Sequence, residues 1–174
     1  RKEVKEGTEF GKFVRPYLEE GKLVPDDATN SMMRERLNRS DCKKGFILDG
    51  YPRDEGQMKF LEANETLTHV LSIEIPDEDA IARIASRRAC SECGAKYNLI
   101  VYPPKKKEVC DLCGGALEMR SDDRPEAVRE RLRIYHTMTQ PLLEFYQKKG
   151  ILHRLDGKRD IEGIWETIKI ILAS

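Results

Sequence analysis

What this chain lacks narrows it before any motif is read. It has no net charge: 31 lysines and arginines face 31 aspartates and glutamates, so charge alone argues for no polyanionic partner. It has no apolar run long enough to span a bilayer and no secretory signal pattern. Its three histidines, His69, His136 and His153, are scattered; nothing resembles a Ser/His/Asp or Cys/His triad, and each histidine reads as structural. Aromatics make up 7% of the sequence, with a single tryptophan, Trp165, in a helical pattern, where it reads as core rather than cofactor contact. At 174 residues the chain has enough apolar surface for one good core, with room for a small appendage.

Hydrophobic periodicity then lays out the chain. Residues 1–20 read as two helical pieces around Gly7, with Phe10, Phe13, Val14, Tyr17 and Leu18 at helical spacing and Gly21 as a C-cap. Pro25-Asp26-Asp27 opens a helix, and residues 54–64 form another. Phe46-Ile47-Leu48 is a short apolar run, as expected of a strand buried on both faces of a parallel sheet. Val70–Ile75 and Ile151–Leu155 read as further strands. Pro76-Asp77-Glu78 opens a helix that the pattern carries to Arg87-Arg88. From Cys90 to about Arg120 the helical period vanishes, to return at Pro125 with Val128, Leu132, Tyr135, Met138, Leu142 and Tyr146 on one face. Ile161, Ile164, Trp165, Ile168 and Leu172 give a terminal amphipathic helix. Strands alternating with helices imply an α/β fold on a parallel sheet flanked by helices, interrupted by a small insert.

The insert holds the strongest local signal. Cys90-Ser91-Glu92-Cys93-Gly94 and Cys110-Asp111-Leu112-Cys113-Gly114 are matching knuckles with sixteen residues between Cys93 and Cys110. Four thiolates at this spacing read as a closed tetrahedral metal site with a structural role. Two disulfides are the bland competitor, and iron competes with zinc for four thiolates. Cys42, without a partner, reads as an ordinary half-buried thiol. A ribbon of this kind could bind nucleic acid through Lys105-Lys106-Lys107, Tyr97 and Tyr102, but Glu92, Glu108, Asp111 and Glu118 offset that charge.

A second constellation carries the chemistry. The run Gly45–Asp54 closes an apolar stretch on Asp49, a carboxylate at the carboxyl edge of a parallel sheet, where α/β folds bind ligands. Gly50 permits close backbone approach and Arg53 supplies a planar fork suited to phosphate. Arginines bracket the insert: Arg83, Arg87 and Arg88 on its entry, Arg83 and Arg87 sharing a helical face; Arg120, Arg124, Arg129, Arg131 and Arg133 on its exit. Arg124, Arg129 and Arg133 are expected to be surface groups. Arginines brought over a sheet edge suit phosphoryl transfer, which is governed by positioning and charge neutralisation.

With these residues in hand, the chain resembles the adenylate kinase family, in its long-lid form with a four-cysteine lid. The matching stretches are Gly21-Lys22-Leu23-Val24-Pro25, Gly45–Arg53, Gln57, Arg87-Arg88, Cys90 to Cys113, Arg120–Asp123 and Val128–Leu132, and the resemblance spans essentially all of the chain. It implies reversible transfer of the γ-phosphoryl of Mg-ATP to AMP, giving two ADP, while the residues themselves do not distinguish ATP from GTP as the donor. It implies that Arg1 and Arg53 hold the AMP phosphate, that Lys22, Leu23, Val24 and Gly50 line the AMP pocket, and that Gln57 meets adenine. Asp49 would organise the Mg²⁺ water shell. Arg83 and Arg87 would meet ATP, with Arg120 and Arg131 at the transferring group and in contact with AMP. Asp122 and Asp123 would sit at the lid hinge, and the backbone near Arg159 would face the ATP adenine. Residues 1–24 would belong to the monophosphate-binding helical region, 25–86 and 121–174 to the core, and 87–120 to a zinc-stapled lid. A cytoplasmic, monomeric parent protein acting on neither nucleic acid nor membrane is the implied setting. The family opens with a strand, a Gly-rich phosphate loop and a helix, whereas none of the twelve glycines here lies in a G-x-x-x-x-G-K-[ST] sequence. The expectation is that such a block precedes Arg1 in the parent protein, and that the chain as written is inactive or nearly so, with apolar sheet surface left bare.

Overall fold

The computed structural model describes residues 2–173. Its elements run in chain order as α1 (Lys2–Glu6), α2 (Glu9–Glu19), α3 (Asp26–Leu37), α4 (Glu55–Asn64), β1 (Val70–Glu74) and α5 (Asp77–Ala85). The insert follows as β2 (Arg87–Cys90), β3 (Lys96–Asn98) and β4 (Leu117–Glu118). A 3₁₀ turn at Ser121–Asp123 leads to α6 (Pro125–Ile134), a π-helical turn (Tyr135–Thr139), α7 (Gln140–Lys148), β5 (Leu152–Asp156) and α8 (Ile161–Leu172). These elements fall into two compact units, Arg1–Leu23 with Pro76–Leu132, and Val24–Ile75 with Arg133–Ser174. Among the described residues no helix is long and apolar enough to cross a membrane.

The second unit carries the parallel pairing, β1 beside β5, from Val70 opposite Leu152 to Glu74 opposite Asp156. The β-branched and aliphatic residues of these runs suit a pleat covered on one face by helices. Met58 of α4 and Leu142 and Tyr146 of α7 form the covering core, with Leu67, Val70, Ile151 and Leu152 against them. Asp54 caps α4 by accepting the Gln57 N–H at 2.9 Å, which satisfies one of the orphan donors of its first turn.

In the first unit α1 and α2 meet around Thr8, whose Oγ1 accepts the Gly11 N–H at 3.0 Å and caps α2. The insert is a three-stranded antiparallel sheet in the order β3-β2-β4, with Cys90, Tyr97, Cys110 and Leu117 as its buried cluster. So small a core needs a staple to hold it.

Three expectations from the sequence give way here. Phe46–Leu48 forms no strand, and Ile47 is 92% exposed. A strand exists only through pairing, and the described parallel sheet consists of β1 and β5 alone. The helix from Asp77 stops at Ala85, so Arg87 lies on β2 and shares no helical face with Arg83. The stop has a local cause: the Arg88 guanidinium donates to the carbonyls of Ala85 at 2.9 Å and Arg87 at 2.7 Å. Trp165 is 52% exposed rather than core, its ring met by Lys169 Nζ at 5.9 Å; the face of α8 that the periodicity marks is only partly covered.

One turn of the insert holds a non-glycine residue in the left-handed region, Glu108 at φ 62°, where Cβ crowds the carbonyl. Glu108→Gly is expected to raise stability by about 1 kcal/mol, read as a higher urea midpoint at unchanged slope.

Candidate active site and metal centre

The 3₁₀ turn after the insert places two consecutive carboxylates, Asp122 and Asp123, in the interior of the first unit, 6% and 0% exposed at the side chain. Buried carboxylates need partners, and three arginines converge on them. Arg120 holds Asp122 with a two-point fork, Nε at 3.1 Å and Nη2 at 2.9 Å. Arg87 reaches from β2 to hold Asp123 the same way, Nε at 3.1 Å and Nη2 in closer contact. Arg131, in the second turn of α6, sits between them: its Nη1 lies 4.0 Å from Asp122 Oδ2, 3.8 Å from Asp123 Oδ1 and 3.4 Å from the Asp122 carbonyl. Among the described residues and the contacts given above, three guanidinium groups face two carboxylates, and the arginine side chains remain 25–34% exposed. A guanidinium has five N–H donors; Arg87 and Arg120 each spend two on their aspartate, leaving three of each to donate elsewhere.

Arg131 is seated by a glycine. A Cβ on Gly21, at φ +72°, would stand 2.8 Å from the Ala127 carbonyl oxygen and 3.1 Å from Arg131 Cγ. Only hydrogen at this position lets the chain after α2 run so close to α6. Lys22 is exposed and pairs with Glu20 at 2.6 Å.

The second unit holds Val24, Asp49, Gly50, Arg53, Gln57 and Arg159 of the expected set. Gln57 is 2% exposed, and both ends of its amide are used: Oε1 accepts the Arg53 N–H at 2.9 Å and Nε2 donates to Asp26 Oδ1 at 3.0 Å. Arg53 Nε donates to the Gly50 carbonyl at 2.6 Å, and the Arg53 carbonyl accepts from Thr139 Oγ1 at 2.6 Å. Asp49 is exposed, and Arg159 Nη1 donates to Thr167 Oγ1 at 3.1 Å. Arg83 is half-buried in the first unit, while Arg124, Arg129 and Arg133 are exposed, as expected of surface groups. Arg1 lies outside the described residues.

The thiols of Cys90, Cys93, Cys110 and Cys113 all lie within 4.8 Å of one another, with Cys90–Cys113 at 3.4 Å and Cys93–Cys110 at 3.6 Å. Zinc–sulfur bonds of about 2.3 Å give a tetrahedron with edges of ~3.8 Å, so the four sulfurs fit such an ion. Their ionisation is uneven. Backbone N–H groups of the first knuckle lower Cys90; Cys110, pushed up by burial, is brought down to about 6 by the Tyr97 hydroxyl and the Leu112 and Cys113 N–H groups. At Cys113 the donation from Gly115 is outweighed by the neighbouring sulfurs, which push it up to about 12. Four thiolates this close cannot all ionise without a cation among them.

The sequence marks the members of both clusters, but neither the pairing of Arg87, Arg120 and Arg131 with Asp122 and Asp123 nor the residues that support them. Tyr97, Asn98 and Arg88 are such supports: Asn98 Nδ2 donates to the Arg83 carbonyl at 3.0 Å while its Oδ1 accepts from Ser86 Oγ at 2.8 Å. The only signal for Asn98 was a turn-forming residue ahead of Leu99-Ile100-Val101, and nothing marked Arg88 apart from Arg87. Asp26 beside Asp54 was likewise missed, since the pair lies far apart in sequence.

An α/β chain with a β insert whose four thiols could hold a metal ion, and an arginine cluster built on buried carboxylates, defines a protein suited to a multiply charged anion. The adenylate kinase family model matches residues 1–151. Adenylate kinases of Archaeoglobus fulgidus and Methanosarcina mazei are each 47% identical over 99% of this chain and 82% of their own length. One from Caldanaerobacter subterraneus is 46% identical over 97% of this chain and 79% of its own. The chain belongs to the adenylate kinase family.

Burial, and then the Asp26 carboxylate, push the Asp54 carboxyl above its usual range, against the Gln57 N–H that it accepts. The folded state thus favours the protonated form more than the unfolded chain does, and this contribution is present below the ordinary carboxylate pKa. It is lost as pH rises from there through the raised folded value. Asp54→Asn keeps an acceptor for the helix cap and removes the titration. Urea unfolding across the acidic range is expected to show the wild type losing stability relative to this variant as pH rises.

Proposed function

We propose that this chain belongs to a nucleoside-monophosphate kinase that transfers the γ-phosphoryl of Mg-ATP to AMP reversibly, giving two ADP. The observation that carries the reading is the cluster of Arg87, Arg120 and Arg131 on Asp122 and Asp123 in a chain of this family. Phosphoryl transfer offers the protein little covalent chemistry; what it needs is donors fixed where charge spreads during transfer. Buried aspartates hold the arginine forks in place before substrate arrives, so little reorganisation is left for the reacting complex. Arg87 and Arg83 then serve the ATP phosphates, and Arg120 and Arg131 the transferring group and the AMP phosphate. Arg1, Arg53, Lys22, Leu23, Val24, Gly50 and Gln57 serve AMP, the last by exchanging its internal partners for adenine. Asp49 orients the water shell of the Mg²⁺ that accompanies ATP, and the backbone at Arg159 faces the donor base. Asp122 and Asp123 act as positioning residues at the hinge of a lid formed by residues 87–120.

The four cysteines hold Zn²⁺ as a structural ion. It supplies cohesion to a β insert too small for its own core, leaving the arginines on either side of it aligned. A cytoplasmic monomer is the setting we infer.

In a coupled assay with ATP and AMP, the 174 residues alone are expected to give negligible ADP, because they contain no Gly-rich phosphate loop; robust turnover overturns this part. In a chain extended by such a loop, Arg131→Ala is expected to lower kcat by about 10³-fold while zinc content and Tm hold. An unchanged kcat removes Arg131 from the reaction. Chelation of the metal is expected to lower Tm more than it lowers turnover measured below the new melting point, and loss of turnover in a still-folded chain argues against a structural ion.

A further inference from the structure

One corner of the thiol cluster differs from the others by a buried phenol. Tyr97, on β3, is 5% exposed. Its Oη accepts the Asp111 N–H at 2.8 Å and lies 3.6 Å from Cys110 Sγ. Because the backbone amide donates to the phenol oxygen, the hydroxyl proton is left for the sulfur. A metal-bound thiolate carries no proton, so in that contact only the phenol can donate. Cys90, in the matching place of the first knuckle, draws on the N–H groups of Glu92 and Cys93 and on neighbouring sulfurs, with no side-chain hydroxyl among them.

We propose that Tyr97 is a hydrogen-bond donor to the metal-bound Cys110 thiolate, which strengthens the site and makes its four sulfurs inequivalent. The proposal rests on the metal reading of these cysteines. Four thiolates around a divalent ion leave a double negative charge in a small insert, and a fixed O–H dipole aimed at one sulfur draws off part of it. Outer partners of this kind tune a metal as well as orient its ligands. The same phenol ties the two knuckles together: its ring comes from the strand after the first, and the amide that it accepts belongs to the second. Tyr97 also carries Tyr102 stacked at 5.8 Å, so removing the Tyr102 hydroxyl is a control that keeps the stacked ring and leaves the Tyr97 hydroxyl in place.

The test replaces zinc with Co²⁺ in the full 174-residue chain and reads the sulfur-to-metal charge-transfer band. Tyr97→Phe is expected to move that band to lower energy and to weaken metal binding by about 10-fold in chelator competition. Tyr102→Phe leaves both unchanged, and 3-fluorotyrosine at position 97, a stronger donor of nearly the same shape, moves the band the opposite way. A band that stays put in Tyr97→Phe overturns the proposal. If that variant loses the tetrahedral spectrum altogether, the fluorotyrosine shift decides, and its absence overturns the proposal. A wild-type chain that gives no tetrathiolate spectrum overturns both this inference and the metal reading beneath it.

Discussion

Two adjacent carboxylates in the interior of the first unit set the terms for what surrounds them. Asp123 is fully buried and Asp122 nearly so, and an unpaired charge in either place would be prohibitively costly. The 3₁₀ turn that presents them, the strand that ends the α5 connection and the first turns of α6 each deliver an arginine to that point. Buried ion pairs contribute little net stability against apolar alternatives, so stability is a weak reason for this arrangement. Geometry is a better one: the forks fix three guanidinium planes in a chain whose proposed chemistry depends on where positive charge sits.

The thiol cluster and the arginine cluster solve different problems with neighbouring residues. The insert has few apolar residues to bury, and its cluster of Cys90, Tyr97, Cys110 and Leu117 draws half its members from the thiols themselves. Cohesion there comes from the ligands, while charge placement comes from the residues on either side of them. Arg88 and Asn98 join the two by closing the carbonyls where α5 ends and the insert begins, so the boundary is stiffened by side chains of no catalytic chemistry.

Much of this was legible in the sequence, for identifiable reasons. The thiols were, because Cys-x-x-Cys spacing is local and the turn it needs is written by the glycine that follows. The β1 and β5 runs and the helix from Pro125 were, because their periodicity is short-range. What failed depended on partners. Phe46–Leu48 has strand composition, yet pairing is a property of two segments, and Trp165 marks an apolar face without saying what covers it. Arg87 was misplaced because arginine is a good helix former and nothing in its own identity reveals that Arg88 turns back to cap the helix behind it. Of Gln57, the sequence shows nothing of its engagement by Asp26 and the Arg53 amide, since those partners are brought to it by the fold.

Gly21 carries a consequence for how this chain can vary. The obstacle to a methyl group there is the Ala127 carbonyl, main chain rather than a side chain that could rotate aside, and the positive φ adds a second bar. Replacement at that site cannot be absorbed by repacking. It would have to push α6 outward, carrying Arg131 with it, so the mutational tolerance of a residue with no functional group is set by the placement of one that has five donors.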